Sequence, residues 1–216
     1  MIISPGRQFI FAHMPKTGGT SFATALEARA HKDDILIGDT PKALKRKGRL
    51  KGLETAGRLW KHSTLADVEG IVSREHMQDW FVVTLVRNPW DRVVSYYHWL
   101  QDQSFQHPVV GIAQTATFAD FAQNDLVLRG LAANTAANFT TDSTGRDHVT
   151  LAARLERFDE DIRPFEDHLG FQIDLPHLNR SERAEGYVDY YDSVTRQRIE
   201  TACQDDIDRF GYRFGD

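Results

Sequence analysis

The chain has 216 residues, 41% of them hydrophobic and 26% charged, with a formal net charge of −5. That length suits one domain, 1–216, with its own core, and the acidic balance argues against a general nucleic-acid binder, whose domain is usually basic. The single cysteine, Cys203, excludes an internal disulfide framework or a multi-cysteine metal site, and its polar surroundings mark a structural thiol. No window approaches the roughly 18 apolar residues of a membrane span, and the start lacks a leader pattern, so a soluble, cytoplasmic chain is expected. In chain order, residues 8–13 (QFIFAH) predict a short strand, and 20–30 a helix with Phe22, Ala23, Leu26 and Ala30 on one face. Residues 34–38 (DILIG) predict a second short strand, and 63–73 (STLADVEGIVS) a helix capped by Ser63 or Thr64. Residues 80–86 (WFVVTLV) form the clearest strand, nearly continuous in apolar and β-branched side chains, as in a strand buried on both faces. Asn88 caps the helix that follows, Pro89 suits its first position, and Asp91 complements its dipole. Further on, 118–132 reads as helical, 149–158 as a strand, and 159–169 and 193–210 as two closing helices, with Phe210, Tyr212 and Phe214 as core anchors. Strands alternating with helices imply an α/β fold, a three-layer α/β/α arrangement around a central parallel sheet.

In such sheets ligands sit at the carboxyl ends of the strands, and both unusual motifs fall there. After the first strand comes PKTGGTS. Pro15 stiffens the chain, and Gly18 and Gly19 permit backbone geometry and a close approach that side chains would block. Their amides, with those of Thr20 and Ser21, can converge on one anion. Lys16 adds a point charge, Thr17, Thr20 and Ser21 add hydroxyls, and the helix N-terminus favours negative charge. A capped glycine turn is the plain alternative. A Walker loop requires its lysine after the last glycine, whereas Lys16 precedes both.

The second motif is RNPWDRVVSYYHW, residues 87–99. Arg87 leaves the strongest strand, and Ser95 lies two turns along the next helix, so a guanidinium fork and a hydroxyl could grip a second phosphate. Taken singly, Ser95 reads as a solvent-facing serine, Arg87 as a salt-bridge partner, and Arg92 as the structural partner of Asp91. One anion cradle after each of two strands suggests a ligand with phosphates at both ends. Between the motifs, residues 42–61 hold eight lysines and arginines against a single glutamate, Glu54. That run is either a solvated face or a landing surface for an anionic ligand.

PKTGGTS resembles the loop that holds the 5′-phosphosulfate in sulfotransferases, and RNPWDRVVSYYH resembles their strand–helix element for the 3′-phosphate. The chain is similar to the carbohydrate-type members, which include the heparan sulfate 2-O and chondroitin enzymes. The resemblance implies a nucleoside-triphosphate-hydrolase-like α/β/α fold of the P-loop kind. It also implies 3′-phosphoadenosine 5′-phosphosulfate as donor, adenosine 3′,5′-bisphosphate as product and no metal. Lys16, Thr17, Gly18, Gly19, Thr20 and Ser21 would surround the phosphosulfate, while Arg87 and Ser95 would select the 3′-phosphate. Lys16 would also act catalytically by offsetting charge on the leaving phosphate. His62 matches the place of a catalytic histidine between the two nucleotide motifs. It would accept the proton of a hydroxyl acceptor, expected to be a saccharide and anionic. His13 and His98 are expected to shape the pocket, and the other histidines show no metal-ligand pattern. Residues 177–183 (HLNRSER) read as a late loop over the nucleotide or as a capping turn. Two other classes stay open: a nucleotide kinase of related fold, and a non-catalytic nucleotide-binding module.

Overall fold

A computed structural model describes residues 1–175 and 186–216, so the loop expected at 177–183 lies outside the described residues. The elements run β1 (Ile2–Ser4), β2 (Phe9–Ala12), α1 (Gly19–Ala28), β3 (Ile35–Leu36), α2 (Pro41–Arg46), α3 (Arg74–Asp79), β4 (Phe81–Val86), α4 (Pro89–Gln101), α5 (Pro108–Thr115), α6 (Phe118–Gln123), α7 (Asp125–Ala133), α8 (Ala136–Thr140), β5 (Leu151–Arg154), α9 (Phe158–Asp161), α10 (Arg163–Leu169), α11 (Ser193–Ala202) and α12 (Gln204–Phe210). Over the described residues they form two compact units, one of 1–86 with 136–175 and one of 87–135 with 186–216.

The first unit is built on a five-stranded sheet of order β3-β1-β2-β4-β5. β2, β4 and β5 pair in parallel, with Ile10 opposite Val82 and Leu85 opposite Ala153. β1 runs antiparallel to both β2 and β3, so the expected parallel sheet is in fact mixed, with a reversed strand that the sequence reading did not include. Residues 5–7 make the reversal in one 3-10 turn, closed by Gln8 in the left-handed region at φ 52°.

Alternation along the strands sorts the core into two layers. Phe9, Phe11, Val83, Leu85 and Ala153 point to the face covered by α1, α9 and α10, where Phe22, Leu26, Phe158 and Phe165 meet them. Ile3, Ile10 and Val82 point to the other face, against Leu65, Val68, Val72 and Met77. This second layer corrects the expected helix at 63–73, because the segment is a chain of turns and α3 is the regular element beside it. Leu65, Val68 and Val72 mimic helical spacing, but the Leu65 amide donates to Phe139 O at 3.2 Å. Gly70 stands at φ +100°, where an added Cβ would meet Glu54 O at 2.6 Å. Thr64 and Asp67 still exchange cap-like hydrogen bonds of 2.8 to 3.1 Å. The layered α/β fold is therefore as expected, with one layer less helical.

The second unit is helical. Trp90, Val93, Val94, Tyr97 and Leu100 of α4 are buried, as are Phe118, Phe121, Leu131 and Ile199. The two long helices expected at 118–132 and 193–210 are each broken in two, at Asn124 and Cys203. Asn124 ends α6 and caps α7, accepting the Leu126 amide at 3.0 Å. Of the expected aromatic anchors, Tyr212 is buried and Phe210 and Phe214 are half-buried. Burial raises the Cys203 thiol to about 11, consistent with an inert structural thiol. Among the described residues no helix is long and apolar enough to cross a membrane.

Candidate active site

The loop after β2 follows from where its strand ends. Phe11 and Ala12 are fully buried, and the chain leaves the sheet at His13, whose ring stacks on Phe11 at 5.4 Å. Thr17, also fully buried, donates its hydroxyl to Met14 O at 2.9 Å and closes the turn. That hydroxyl is committed within the loop, so Thr17 has its backbone amide to offer an anion. Lys16 stands at φ 67° and Gly18 at φ 82°. A left-handed lysine is strained, and two such residues flanking Thr17 suit a concavity of inward-turned amides. Gly18 is also the N-cap of α1 and brings no side chain to cap it, so the helix opens on backbone amides and the positive end of its dipole. A Cβ at Gly18 would stand 2.8 Å from Leu155 Cδ1, and one at Gly19 would stand 2.2 Å from the His13 ring. Gly18 is therefore fixed by packing as well as by conformation, and Gly19 by packing. Thr20 is half-buried and Ser21 buried on the first turn of α1.

His62 reaches this loop across 49 residues of chain, its Nδ1 lying 2.7 Å from His13 O. A carbonyl only accepts, so Nδ1 carries the proton and Nε2 keeps its lone pair. Burial lowers the imidazole to about 4, against the raising effect of the His13 carbonyl, so the ring is neutral near pH 7. The His13 and His62 rings meet edge to face at 4.6 Å. Burial also holds His13 well below its usual value, so the pair is a neutral, edge-to-face wall beside the loop. Sequence reasoning placed His62 by resemblance and missed its physical partner, because a carbonyl contact over that separation has no local signature.

Half of the basic run is spent on structure. Arg46 donates to His31 O at 2.8 Å and Arg49 to Lys32 O at 2.7 Å. Lys42 bonds Glu27 O, and Lys61 pairs with Asp39 at 2.6 Å. Lys45, Lys47, Lys51 and Arg58 are exposed. His31 lies with Asp33 and Asp34, three ligand-type atoms within 4.8 Å, but Asp34 already accepts from Ser4 Oγ and the His31 amide.

In the second unit, Arg87 follows directly on β4 and Asn88 caps α4 by accepting the Trp90 amide at 3.1 Å. The Arg87 guanidinium pairs with Asp91 one turn on, at 2.6 Å, both side chains being about 15% exposed. The structural partner of Asp91 is thus Arg87, which corrects the expected pairing with Arg92. Arg92 is buried, and bonds Asp206 at 3.5 Å and Asn134 O at 2.8 Å. Ser95 is half-buried on α4, and His98 exchanges a 2.9 Å hydrogen bond with Tyr190 OH.

The first unit is a layered α/β fold whose central strand β2 runs through a glycine turn into an α1 without a side-chain cap, a geometry that suits an anion. The comparisons give that fold its family. The sulfotransferase family model matches residues 1–127, more than half of the chain, and the chain belongs to that family. The matched span holds the loop, His62, Arg87 and Ser95. Among solved structures, the chain is similar to mouse sulfotransferase SULT7A1 complexed with PAP, at 14% identity over 95% of this chain and 85% of that one, with a TM-score of 0.48. No curated protein matches the chain.

Proposed function

We propose that the chain transfers the sulfuryl group of 3′-phosphoadenosine 5′-phosphosulfate to a hydroxyl of a saccharide, with His62 as general base. Family membership supports sulfuryl transfer in general. The finer reading is carried by one observation: the carbonyl of His13, at the start of the anion loop, fixes the tautomer of His62. Cradle and base are thereby parts of one built object.

The residues fit the donor's anionic end. Amides of Thr17 to Ser21 and the N-terminus of α1 suit a phosphosulfate, and a glycine pair stands where side chains would collide. When bound, the donor supplies a sulfuryl group on a phosphate leaving group. Nε2 of His62 removes the acceptor's proton as its oxygen bonds sulfur, while the sulfur–oxygen bond to phosphate breaks. Lys16 and the loop amides offset the charge left on that phosphate, through a loose transition state in which positioning dominates. An imidazole near 4 is a weak base, but negative charge held by the loop raises it toward neutrality. Arg87 and Ser95 are assigned to the 3′-phosphate, as the family pattern implies.

Calorimetric titration with adenosine 3′,5′-bisphosphate and with ATP tests this reading. Clear preference for the bisphosphate is expected. Equal or tighter binding of ATP would overturn it in favour of a kinase. Binding without turnover on any hydroxyl acceptor would leave a non-catalytic module.

A further inference from the structure

We propose that the indole of Trp60 is the platform on which the acceptor's sugar ring lies, with Arg58 bracing a negative group on that acceptor; this rests on His62 being the base. Trp60 is 46% exposed, unusual for a side chain that loses so much apolar contact with water when buried. It is nevertheless held firmly. Ser63 is fully buried beneath it, and its Oγ lies 2.8 Å from Arg58 O and 2.9 Å from Trp60 O while accepting the Trp60 amide at 2.9 Å. A second bond, from the Ser63 amide to Trp60 O at 3.0 Å, closes the same turn. One buried hydroxyl therefore ties residues 58–63 into a rigid support for an aromatic ring left open to solvent. Such preorganisation lowers the entropy lost on binding.

The ring's neighbours say what it serves. The indole and the His62 imidazole meet at 5.0 Å and 84°, and His62 is itself fixed through Nδ1. A saccharide ring stacked by its C–H face on the indole lies alongside the imidazole, so one of its hydroxyls can reach Nε2. The Arg58 guanidinium lies over the indole, 5.9 Å from its centroid, and makes no ion pair with a carboxylate among the described residues. Lys61, by contrast, is held by Asp39. Arg58 is thus the cation beside the platform with its charge to spare for an acidic sugar. Of the run at 42–61, the acceptor would be met by this turn at its end, not by the whole basic stretch.

The test compares Trp60→Ala, Trp60→Phe and Arg58→Ala with the parent protein, after near-UV circular dichroism has shown that each is folded. Three probes are used: a uronate-bearing oligosaccharide, its carboxyl-reduced neutral counterpart, and a tyrosine peptide. Tryptophan fluorescence, read without donor, should change with the saccharides, lose that change in Trp60→Phe, and keep it in a Trp99→Phe control. In turnover, Trp60→Ala should raise the saccharide KM about tenfold or more with a smaller effect on kcat, and Trp60→Phe should keep most of the affinity. Arg58→Ala should weaken the acidic saccharide and spare the neutral one. Bisphosphate affinity should be the same in every variant. Unchanged KM in Trp60→Ala, or no Trp60-dependent signal with either saccharide, overturns the platform. A signal with the tyrosine peptide alone overturns the sugar in favour of an aromatic acceptor. Loss of concentration-dependent self-association in Trp60→Ala, without a saccharide signal, overturns it in favour of a protein contact. Failure of the parent to bind the bisphosphate would instead sink the donor reading, and the fluorescence arm would still judge the platform.

Discussion

The two segments proposed for the donor would hold its charge in opposite ways. In the loop of residues 13–21 the means are backbone: two left-handed residues, a glycine pair pressed against Leu155 and the His13 ring, and an uncapped helix start. In α4 the means are side chains, and the foremost, Arg87, is already ion-paired with Asp91. A backbone site is paid for during folding and is ready when the ligand arrives. A side-chain site that is partnered in the free protein must exchange one anion for another, which suits it to discriminate between ligands more than to capture them. The loop should therefore respond to changes of shape, and the helix to changes of charge.

The largest effect is expected on the charge side. Arg87→Ala should weaken adenosine 3′,5′-bisphosphate by about 2 to 5 kcal/mol in calorimetry while sparing adenosine 5′-phosphate, because a desolvated phosphate loses its partner. Equal losses for both ligands would remove Arg87 from the 3′-phosphate. Next comes His62→Ala, expected to lower turnover about a hundredfold or more with bisphosphate affinity nearly intact. Full activity there would move the base elsewhere. On the shape side, Gly19→Ala drives a Cβ to 2.2 Å from a buried ring. Overpacking of that kind costs about 1 to 3 kcal/mol, so a lower Tm and weaker bisphosphate binding should appear together. If the Tm falls and affinity does not, the backbone cradle is not the phosphate site.

A smaller effect separates the two segments by pH. The His62 imidazole is depressed to about 4, while an unfolded histidine titrates near 6.5. Between those values the unfolded chain binds more protons, so this group's contribution to stability is complete above 6.5 and is lost as pH falls through 4. Bisphosphate in the loop should raise the His62 value by about one unit, or about 1.4 kcal/mol, read from its ring resonance in NMR titrations. An unmoved resonance would detach the base from the cradle.

What the sequence disclosed was local. β4 shows as a nearly continuous run of apolar and β-branched side chains, and Val82, Val83 and Leu85 are indeed fully buried. The start of α4 shows in Asn88 and Pro89, whose capping and fixed φ act within a few residues. The glycines of the loop were visible, but not the strain at Lys16, since nothing in a lysine announces a left-handed backbone. β1 escaped because three residues pairing through a one-turn reversal leave no periodicity to read. The false helix at 63–73 shows the converse: side-chain spacing was right for a helix while Gly70 and the bond to Phe139 O imposed turns. The link from His62 to His13, and the Ser63 knot at Trp60, depend on where separate segments come to rest.

The smallest effect is the sharpest probe of the contrast. Asp91→Asn removes the carboxylate 2.6 Å from the Arg87 guanidinium and leaves a side chain of the same shape. Two consequences oppose each other. Without the carboxylate, Arg87 has one anion fewer to give up and an incoming phosphate meets less repulsion; but the guanidinium also loses a group that orients it, about 0.5 to 1.5 kcal/mol of rotamer freedom to be lost again on binding. If the pair competes with the ligand, repulsion outweighs orientation and the bisphosphate should bind severalfold tighter, with a steeper salt dependence because the freed charge is more open to screening. Binding ten times weaker would mean the reverse. Asp91 would then be a positioning residue, and α4 would be as preorganised for its phosphate as the loop is for its own.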